Sequence, residues 1–292
     1  MRVTSNMQGR NLLYNLGNSA ENLQNLQNQM SSGKKINKPS DNPVGVQNVM
    51  RFNSTQTAVD LWKTNTTEAM SYMQTTDSAM SSATSMLQRV RELAVRGSNG
   101  DMTQSQRLAL STEIRELNEQ IRSVANTKVG NRYIFAGEKN VEPMPTASSP
   151  WQGSSAIVSY QVGNNLSIGI SIDGGAVFPG IFSTLDDLAT ALEGSDDAAA
   201  VDGASASLGK LDQNIDNLLK NQAELGAKVN RLTSIQSQLT NTSNNLASNI
   251  SDIQDLDYAQ TILDYQTQDN AYRAALAVGM KVIQPSLVDF MR

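Results

Sequence analysis

Residues 30–45 read MSSGKKINKPSDNPVG, and they interrupt an apolar pattern that otherwise predicts long helices. Upstream, one stripe recurs at alternating steps of four and three residues: Leu12, Leu16, Ser19, Leu23, Leu26 and Met30. This heptad spacing is typical of helices that pack side by side. Glycine and proline disfavour helix continuation, so we expect one helix to end here and another to begin near Pro43, capped by Ser40 or Asp41.

Further heptad stripes follow the interruption. One predicts a helix from about Pro43 to Arg96, and the capping-box pair Thr103 and Gln106 predicts the start of the next helix. A last helical stretch is expected to end before Pro285. The predicted core residues of the long helices are Trp62, Met73, Met80, Leu87, Val90, Leu110, Ile114, Leu117, Ile121, Leu225, Val229, Leu232, Leu239 and Leu246. The stripe on the last stretch comprises Tyr258, Ile262, Tyr265, Tyr272 and Leu276.

The two ends of the chain therefore differ from its middle. Helices with this spacing cross at small angles, so we expect N-terminal helices to pair with C-terminal ones. The predicted fold is mainly α, a long coiled-coil-like helical bundle with a small β-containing domain inserted in the middle. The predicted segments are 1–42 (with the connecting segment) and 255–292 for a terminal coiled-coil domain, 43–137 and 204–254 for a helical rod, and 138–203 for the insert.

The middle of the chain has the composition of short strands and turns. Around residues 163–165, Gly-Asn-Asn, β-branched residues alternate along the sequence and predict a β-hairpin. Residues 130–137, GNRYIFAG, predict a strand or the start of a hairpin. A short helix is expected from Ser183 or Thr184, and residues 196–207 are expected to form a flexible joint or the start of a helix.

Composition excludes the commonest catalytic and metal chemistry. The 292 residues include no cysteine and no histidine, which removes disulfides, thiolate nucleophiles, serine–histidine pairs and the usual metal ligands. The net charge of −5 provides no basic field for nucleic acid or anionic lipid. There is no apolar run near the roughly 20 residues that cross a bilayer, and no conventional signal peptide. We therefore expect the chain to stay in the cytosol or to leave it without a cleaved signal.

The remaining polar clusters are better explained as helix features than as sites. The stretch Gly203–Lys210 differs from a phosphate-binding loop in the spacing of its glycines and in having leucine after the lysine. Asp186–Asp187 and Asp196–Asp197 are interpreted as negative charge at helix N-termini, because adjacent helical residues point to different faces. Three aspartates between 252 and 257 lack the other ligands of a calcium loop. The sequence predicts no catalytic residue, cofactor site or metal site.

Several motifs together resemble one family. They are MRVTSNM at the start, QRVRELAVRGSNGDMT at 88–103, ANTKVGNRYIFAG at 125–137 and the ending AYRAALAVGMKVIQPSLVDFMR. These stretches are similar to the family of flagellar hook-filament junction proteins, or third hook-associated proteins, a branch of the bacterial flagellin superfamily. Residues 30–45 resemble the segment that follows the first helix across that superfamily. The resemblance covers about 1–137 and 205–292, and the middle matches weakly.

The resemblance implies a structural, non-enzymatic function. The paired termini would form an inner coiled-coil domain whose assembly residues are the two terminal stripes, and the long helices would form an outer domain. Lys34, Lys35, Lys38 and Asp41 would lie in the connecting segment and face neighbouring subunits. The implied partners are other copies of the chain in a ring, the first hook-associated protein, flagellin and an export chaperone. The implied location is the extracellular flagellum, reached through the flagellar type III export apparatus without a cleaved signal peptide.

Two other functions stay open at this point. A short flagellin, the filament subunit itself, would share the terminal helices, although the RYIFAG and QPSLVDF stretches favour the junction branch. An enzyme carried to the filament tip would need a site in the insert, where histidine and cysteine are absent.

The terminal segments are expected to be unstable in isolation. The first one is rich in asparagine, a poor helix former. Each apolar residue of its stripe contributes roughly 1.5 to 3 kcal/mol when fully buried, whereas ordering the backbone costs roughly 1 to 2 kcal/mol per residue. We therefore expect residues 1 to about 40, and about 255–292, to fold only against neighbouring subunits.

Overall fold

The computed structural model describes residues 5–146 and 149–283, and over them the chain is mainly helical, as predicted. Its elements are α1 (Ser5–Ser32), α2 (Pro43–Gly97), α3 (Gln104–Ala125), β1 (Lys128–Val129), β2 (Arg132–Tyr133), β3 (Ser159–Gly163), β4 (Leu166–Gly169), α4 (Gly174–Glu193), α5 (Asp197–Gln254) and α6 (Tyr258–Ile283). They form two compact units, one from the described residues of Met1–Ala58 and Thr242–Arg292, the other from those of Val59–Asn241. The expected helix end at Pro285 lies outside the described residues.

The second unit is organised around a row of leucines on α5. A leucine recurs at every seventh position, and all five in this unit are at most 8% exposed: Leu211, Leu218, Leu225, Leu232 and Leu239. Helix α2 runs antiparallel beside this row, because Arg91 Nε donates to Asp212 at 2.6 Å and Gln222 Nε2 donates to Asp77 at 2.9 Å. The heptad spacing thus describes how these two helices pack.

Most of the other predicted core residues lie in or beside the same core. Seven of them are buried: Met73, Met80, Leu87, Val90, Leu110, Ile114 and Ile121. Trp62, Leu117 and Val229 are half-buried, and Leu246 is buried in the first unit. Thr76 is a buried polar residue of α2. Its hydroxyl donates to the Tyr72 carbonyl at 2.9 Å, so its burial leaves no unpaired hydrogen-bond donor.

The middle of the chain shares this core and contains less strand than predicted. The predicted hairpin is confirmed, since β3 pairs with β4 and Asn165 in its turn has a φ of 56°. A second hairpin, β1–β2, has only two residues per strand. The segment 138–203, predicted as a separate insert, packs against α2, α3 and α5 in one hydrophobic cluster.

Helix α4 begins earlier than predicted, at Gly174 rather than at Ser183 or Thr184. Asp173 caps it by accepting from the Gly175 amide at 2.9 Å. Two glycines and Pro179 hide this start in the sequence, because both residue types disfavour helix interiors. Packing compensates: Phe178 is fully buried, with its ring edge-on to Phe135 at 4.7 Å between centroids.

The earlier start of α4 changes the interpretation of the aspartate pairs. Asp186 and Asp187 lie within the helix and point to different neighbours: Asp186 accepts from Asn118 at 2.8 Å and Asp187 pairs with Lys210 at 3.0 Å. Their predicted position at a helix N-terminus is therefore wrong. Asp196 does cap α5, since its carboxylate accepts from the Ala198 amide at 3.0 Å. The predicted capping box at the start of α3 is also confirmed.

We expect Gly137→Ala to destabilise the chain by about 2 to 3 kcal/mol, because it combines backbone strain with a steric clash. Gly137 has a φ of 64°, and a Cβ there would lie 2.1 Å from the Ser154 carbonyl oxygen. Gly130 is a matched control with a φ of 60° and open space around the same position. Gly130→Ala should cost only about 1 kcal/mol, the conformational part alone. If urea unfolding gave the same loss of stability for both variants, the steric clash at Gly137 would be contradicted.

The contact between α3 and the end of α4 depends on an ionised Glu193. Its carboxylate accepts from the Arg115 guanidinium at 2.7 Å and from the Ser111 hydroxyl at 2.7 Å. These two hydrogen bonds lower the pKa of Glu193 from 4.5 to about 2. Because the folded pKa is the lower one, the stabilisation is present above pH 4.5 and is lost as the pH falls through about 2.

We expect Glu193→Gln to lower the Tm above about pH 5, and this difference from wild type to vanish near about pH 2. The effect should be small, since the pair is half-exposed to solvent. Thermal melts followed by circular dichroism across this range measure it. Glu116→Gln, at an exposed position of α3 next to Arg115, should show no such trend. A Tm difference for Glu193→Gln that does not change with pH would rule out the ionic contact as its cause.

Candidate assembly surface

The first unit is built around an antiparallel pair of helices, α1 and α6. Gln268 Nε2 donates to Ser19 Oγ at 2.9 Å. Towards the other end of α6, a Cβ at Gly279 would lie 2.8 Å from Leu12 Cδ2. All six residues of the stripe predicted on α1 are half-buried: Leu12, Leu16, Ser19, Leu23, Leu26 and Met30. The pair therefore shields one side of α1 and leaves the rest of that helix open.

On α6 the shielded side differs from the predicted stripe. The less exposed residues that follow the alternating steps are Thr261, Tyr265, Gln268, Tyr272, Ala275 and Gly279. Only Tyr265 and Tyr272 belong to the predicted set, whereas Tyr258, Ile262 and Leu276 are 50%, 40% and 40% exposed. A count of apolar residues misses Ala275 and Gly279, whose small size lets the two helices approach closely. Ala275 lies three residues after Tyr272 and Gly279 four residues after Ala275, and this spacing was the sequence signal that could have placed them on the shielded side.

Large apolar side chains lie on the solvent side of both helices. On α6, Tyr258, Ile262, Leu276 and Met280 are 40% to 64% exposed. Separations of four, fourteen and four residues place them on one side of the helix, and we call these four residues the outer stripe. On α1, Leu13 is 62% and Tyr14 is 71% exposed. Grouped exposed apolar residues of this kind mark protein–protein contact surfaces.

The segment between α1 and α2 is hydrogen-bonded to the turn between α5 and α6. The Lys35 amide donates to the Gln254 carbonyl at 2.7 Å, and the Leu256 amide donates to the Gly33 carbonyl at 3.1 Å. Gly33 has a φ of 70°, and a Cβ there would lie 2.9 Å from the Tyr258 hydroxyl. Glycine therefore suits this position both by conformation and by space. The two connections form a single joined element.

Asn42 caps α2, in place of the predicted Ser40 or Asp41. Its Oδ1 atom accepts from the Gly45 amide at 2.9 Å. The Asp41 carboxylate instead accepts hydrogen bonds within the connecting segment, from the Lys38 amide at 2.8 Å and from the Asn37 amide at 3.0 Å. These backbone hydrogen bonds lower the pKa of Asp41. Asp41 therefore shapes the connecting segment rather than the helix start.

The lysines of the connecting segment are open to solvent. Lys34, Lys35 and Lys38 are exposed, and none of their ammonium groups forms an ion pair with a described residue. The three positive charges lie on one short segment and are available to an acidic surface.

The first unit contains a groove between its paired helices but no cluster of metal-binding side chains among the described residues. A groove of about 450 Å³ between α1 and α6 is lined by Asn22, Asn25, Leu26, Gln29, Asp264, Thr267 and Gln268. Among residues 5–146 and 149–283, no three acidic side chains come close enough together to hold a metal ion. No helix in that part of the chain has the length and apolarity that crossing a membrane requires.

Comparisons with known proteins give consistent results. The models of the bacterial flagellin N-terminal and C-terminal helical regions match residues 3–140 and 208–290. Flagellar hook-associated protein 3 of Escherichia coli K12 is 28% identical over 94% of this chain and 95% of its own length. A flagellin of Listeria monocytogenes is 29% identical over 89% and 88%. The crystal structure of the flagellar junction protein FlgL from Legionella pneumophila has a TM-score of 0.60 at 15% identity, covering 71% of this chain and 100% of that one.

Proposed function

The chain belongs to the bacterial flagellin family, and from this premise we propose that it is the structural subunit joining the flagellar hook to the filament. The observation that carries the proposal is the match with a hook-associated protein 3 over 94% of this chain and 95% of that protein. A match of that extent includes most of the middle segment between the two family regions. The flagellin relative covers less of both chains. The role is structural, in keeping with the family.

The exposed apolar surface of the first unit supports an assembly role. The outer stripe on α6, together with Leu13 and Tyr14 on α1, is unshielded in the single chain. Copies of the chain packed side by side would bury these residues and close a ring. One edge of that ring would meet the first hook-associated protein and the other would meet flagellin. An export chaperone would cover the same apolar residues before secretion through the type III apparatus.

Deletion of the gene tests the proposal. Cells that lack it should keep complete hooks, carry no filaments and release unassembled flagellin into the medium. Electron microscopy and an immunoblot of the medium measure these outcomes, and a plasmid copy of the gene should restore the filaments. Filaments of normal length in the deletion strain would contradict a junction role.

A seeding experiment separates this proposal from the flagellin alternative. Purified chain added to isolated hook or filament seeds should bind until the available ends are covered and then stop. Continued growth into long filaments would instead favour a flagellin. Sedimentation and negative-stain microscopy distinguish the two outcomes.

We also propose that the terminal helices become stably folded only on assembly. In the described part of α1 no side chain is fully buried, and over residues 258–280 of α6 only Thr261 and Gly279 are buried. Two helices with one shielded stripe each bury little apolar surface against the entropy of ordering. Hydrogen exchange of the dilute monomer should therefore show rapid exchange in α1 and α6 and protection in α2 and α5. Strong protection throughout α1 would contradict the proposal.

Reversing the three lysine charges tests the role of the connecting segment. We expect the Lys34→Glu, Lys35→Glu, Lys38→Glu variant to lose about tenfold or more in assembly, because acidic groups on neighbouring subunits would then meet like charge. The Tm of the monomer should change little, since these side chains are exposed. Lys63→Glu, Lys139→Glu and Lys220→Glu, made together on the second unit, change the net charge by the same amount and provide the control. Normal assembly of the triple variant would remove the connecting segment from the interface.

A further inference from the structure

We propose that Asn99 is a site of spontaneous deamidation, a covalent modification that requires no enzyme. Asn99 and Gly100 form the only Asn-Gly pair in the sequence, and they lie between α2 and α3. Both residues are exposed. A Cβ at Gly100 would meet no heavy atom within 4 Å beyond its chain neighbours, so the space beside this residue is open. The asparagine is thus followed by the least hindered residue type at an exposed position.

The two groups that must react are both free. The reaction brings the backbone nitrogen of Gly100 onto Cγ of Asn99, so it is slowed wherever either group is held by a hydrogen bond. Neither the Gly100 amide nor the Asn99 carboxamide has a hydrogen-bond partner among residues 5–146 and 149–283. Helix α2 ends at Gly97, so no helical hydrogen bonding fixes the backbone of Gly100.

The chemistry balances with water as the only co-reactant. The deprotonated Gly100 nitrogen forms a bond to Cγ of Asn99, the bond between Cγ and Nδ2 breaks, and ammonia leaves. The product is a cyclic succinimide. Water then adds to one of its two carbonyl carbons and opens the ring. The result is either aspartate at position 99 or isoaspartate, in which the main chain runs through the former side-chain carbon.

The new carboxylate would lie in an unfavourable place. It follows the C-terminal end of α2, where the helix dipole already presents partial negative charge, and Asp101 is two residues away. Isoaspartate also adds one carbon to the main chain shortly before Thr103, the residue that caps α3. Deamidation should therefore lower the melting temperature of the chain.

Asn126 provides an internal control, because both atoms of its carboxamide are held. Its Nδ2 donates to the Met144 carbonyl at 2.8 Å, and its Oδ1 accepts from the Met144 amide at 3.0 Å. The residue after it is a threonine, which hinders attack by the backbone nitrogen more than glycine does.

The test incubates the purified full chain at mildly alkaline pH in heavy-oxygen water and maps the label by peptide mass spectrometry. We expect the peptide with Asn99 to gain label, the peptide with Asn126 to stay unlabelled, and Gly100→Ala to slow labelling at Asn99 about tenfold. Fragmentation that separates aspartate from isoaspartate should find both. The Asn99→Asp variant should reproduce a lower Tm. Labelling at Asn99 no faster than at Asn126, or unchanged by Gly100→Ala, would overturn the proposal.

Discussion

Replacing Leu218 by alanine should lower the free energy of unfolding by about 2 to 5 kcal/mol, whereas Leu219→Ala should change it by less than about 0.5 kcal/mol. The two leucines are neighbours on α5, yet Leu218 is 0% exposed and Leu219 is 46% exposed. The substitutions remove the same atoms and change helix propensity equally. Any difference between them therefore reports the packing of the leucine row against the core, since only Leu218→Ala leaves a cavity.

Urea unfolding followed by circular dichroism measures both variants. The unfolding should be compared over the transition of α2 to α5, because the terminal helices are expected to contribute little in the monomer. An equally small loss at both positions would mean that the core around α5 collapses into the space or is not formed. An equally large loss would mean that Leu219 is buried in solution by another copy of the chain, which sedimentation at the same concentration would detect.

The long helices could be predicted from the sequence because each carries its signal along its whole length. The expected helix from about Pro43 to Arg96 is α2, Pro43–Gly97, and the capping box at Thr103 fixed the start of α3. A heptad stripe repeats one physical requirement many times, so an error at one position does not change the result. The hairpin at 163–166 was predictable for a related reason, since its turn demands residues that tolerate unusual backbone angles.

Features decided by tertiary packing could not be predicted in the same way. The start of α4 contains Gly174 and Pro179, and its helical state depends on the burial of Phe178 against partners far away in the sequence. On α6, the apolar pattern predicted Ile262 and Leu276, whereas the shielded side includes Gly279. Because Gly279 has no side chain, Leu12 of α1 can pack closely against it. Asn42 caps α2 in place of Asp41, whose carboxylate accepts from two amides of its own segment instead. Each case is a choice between local alternatives of similar energy.

Placing carboxylates on the outer stripe should abolish assembly without unfolding the subunit. Ile262 and Leu276 are each 40% exposed in the single chain, so Ile262→Asp with Leu276→Asp should leave the monomer's Tm within a few degrees of wild type. If neighbouring copies cover these residues, each carboxylate must lose water without gaining a partner. A combined loss of about 3 kcal/mol corresponds to an affinity about 100-fold lower, which is enough to keep subunits apart. Swimming motility in a complemented deletion strain and ring or junction formation on isolated hooks measure the effect.

The position of the charge, rather than its presence, is what this prediction tests. Thr267 and Ala271 are exposed on the opposite side of α6, so Thr267→Asp with Ala271→Asp adds the same charge to the same helix. This control should assemble nearly as well as wild type. Loss of assembly in both double variants would mean that charge anywhere on α6 is harmful, and the outer stripe would have no special role. Normal assembly of the Ile262 and Leu276 variant would leave the outer stripe without the contact proposed for it. The other exposed apolar residues of the first unit, Leu13 and Tyr14 on α1 and Leu263 and Val278 on α6, would then become the next candidates.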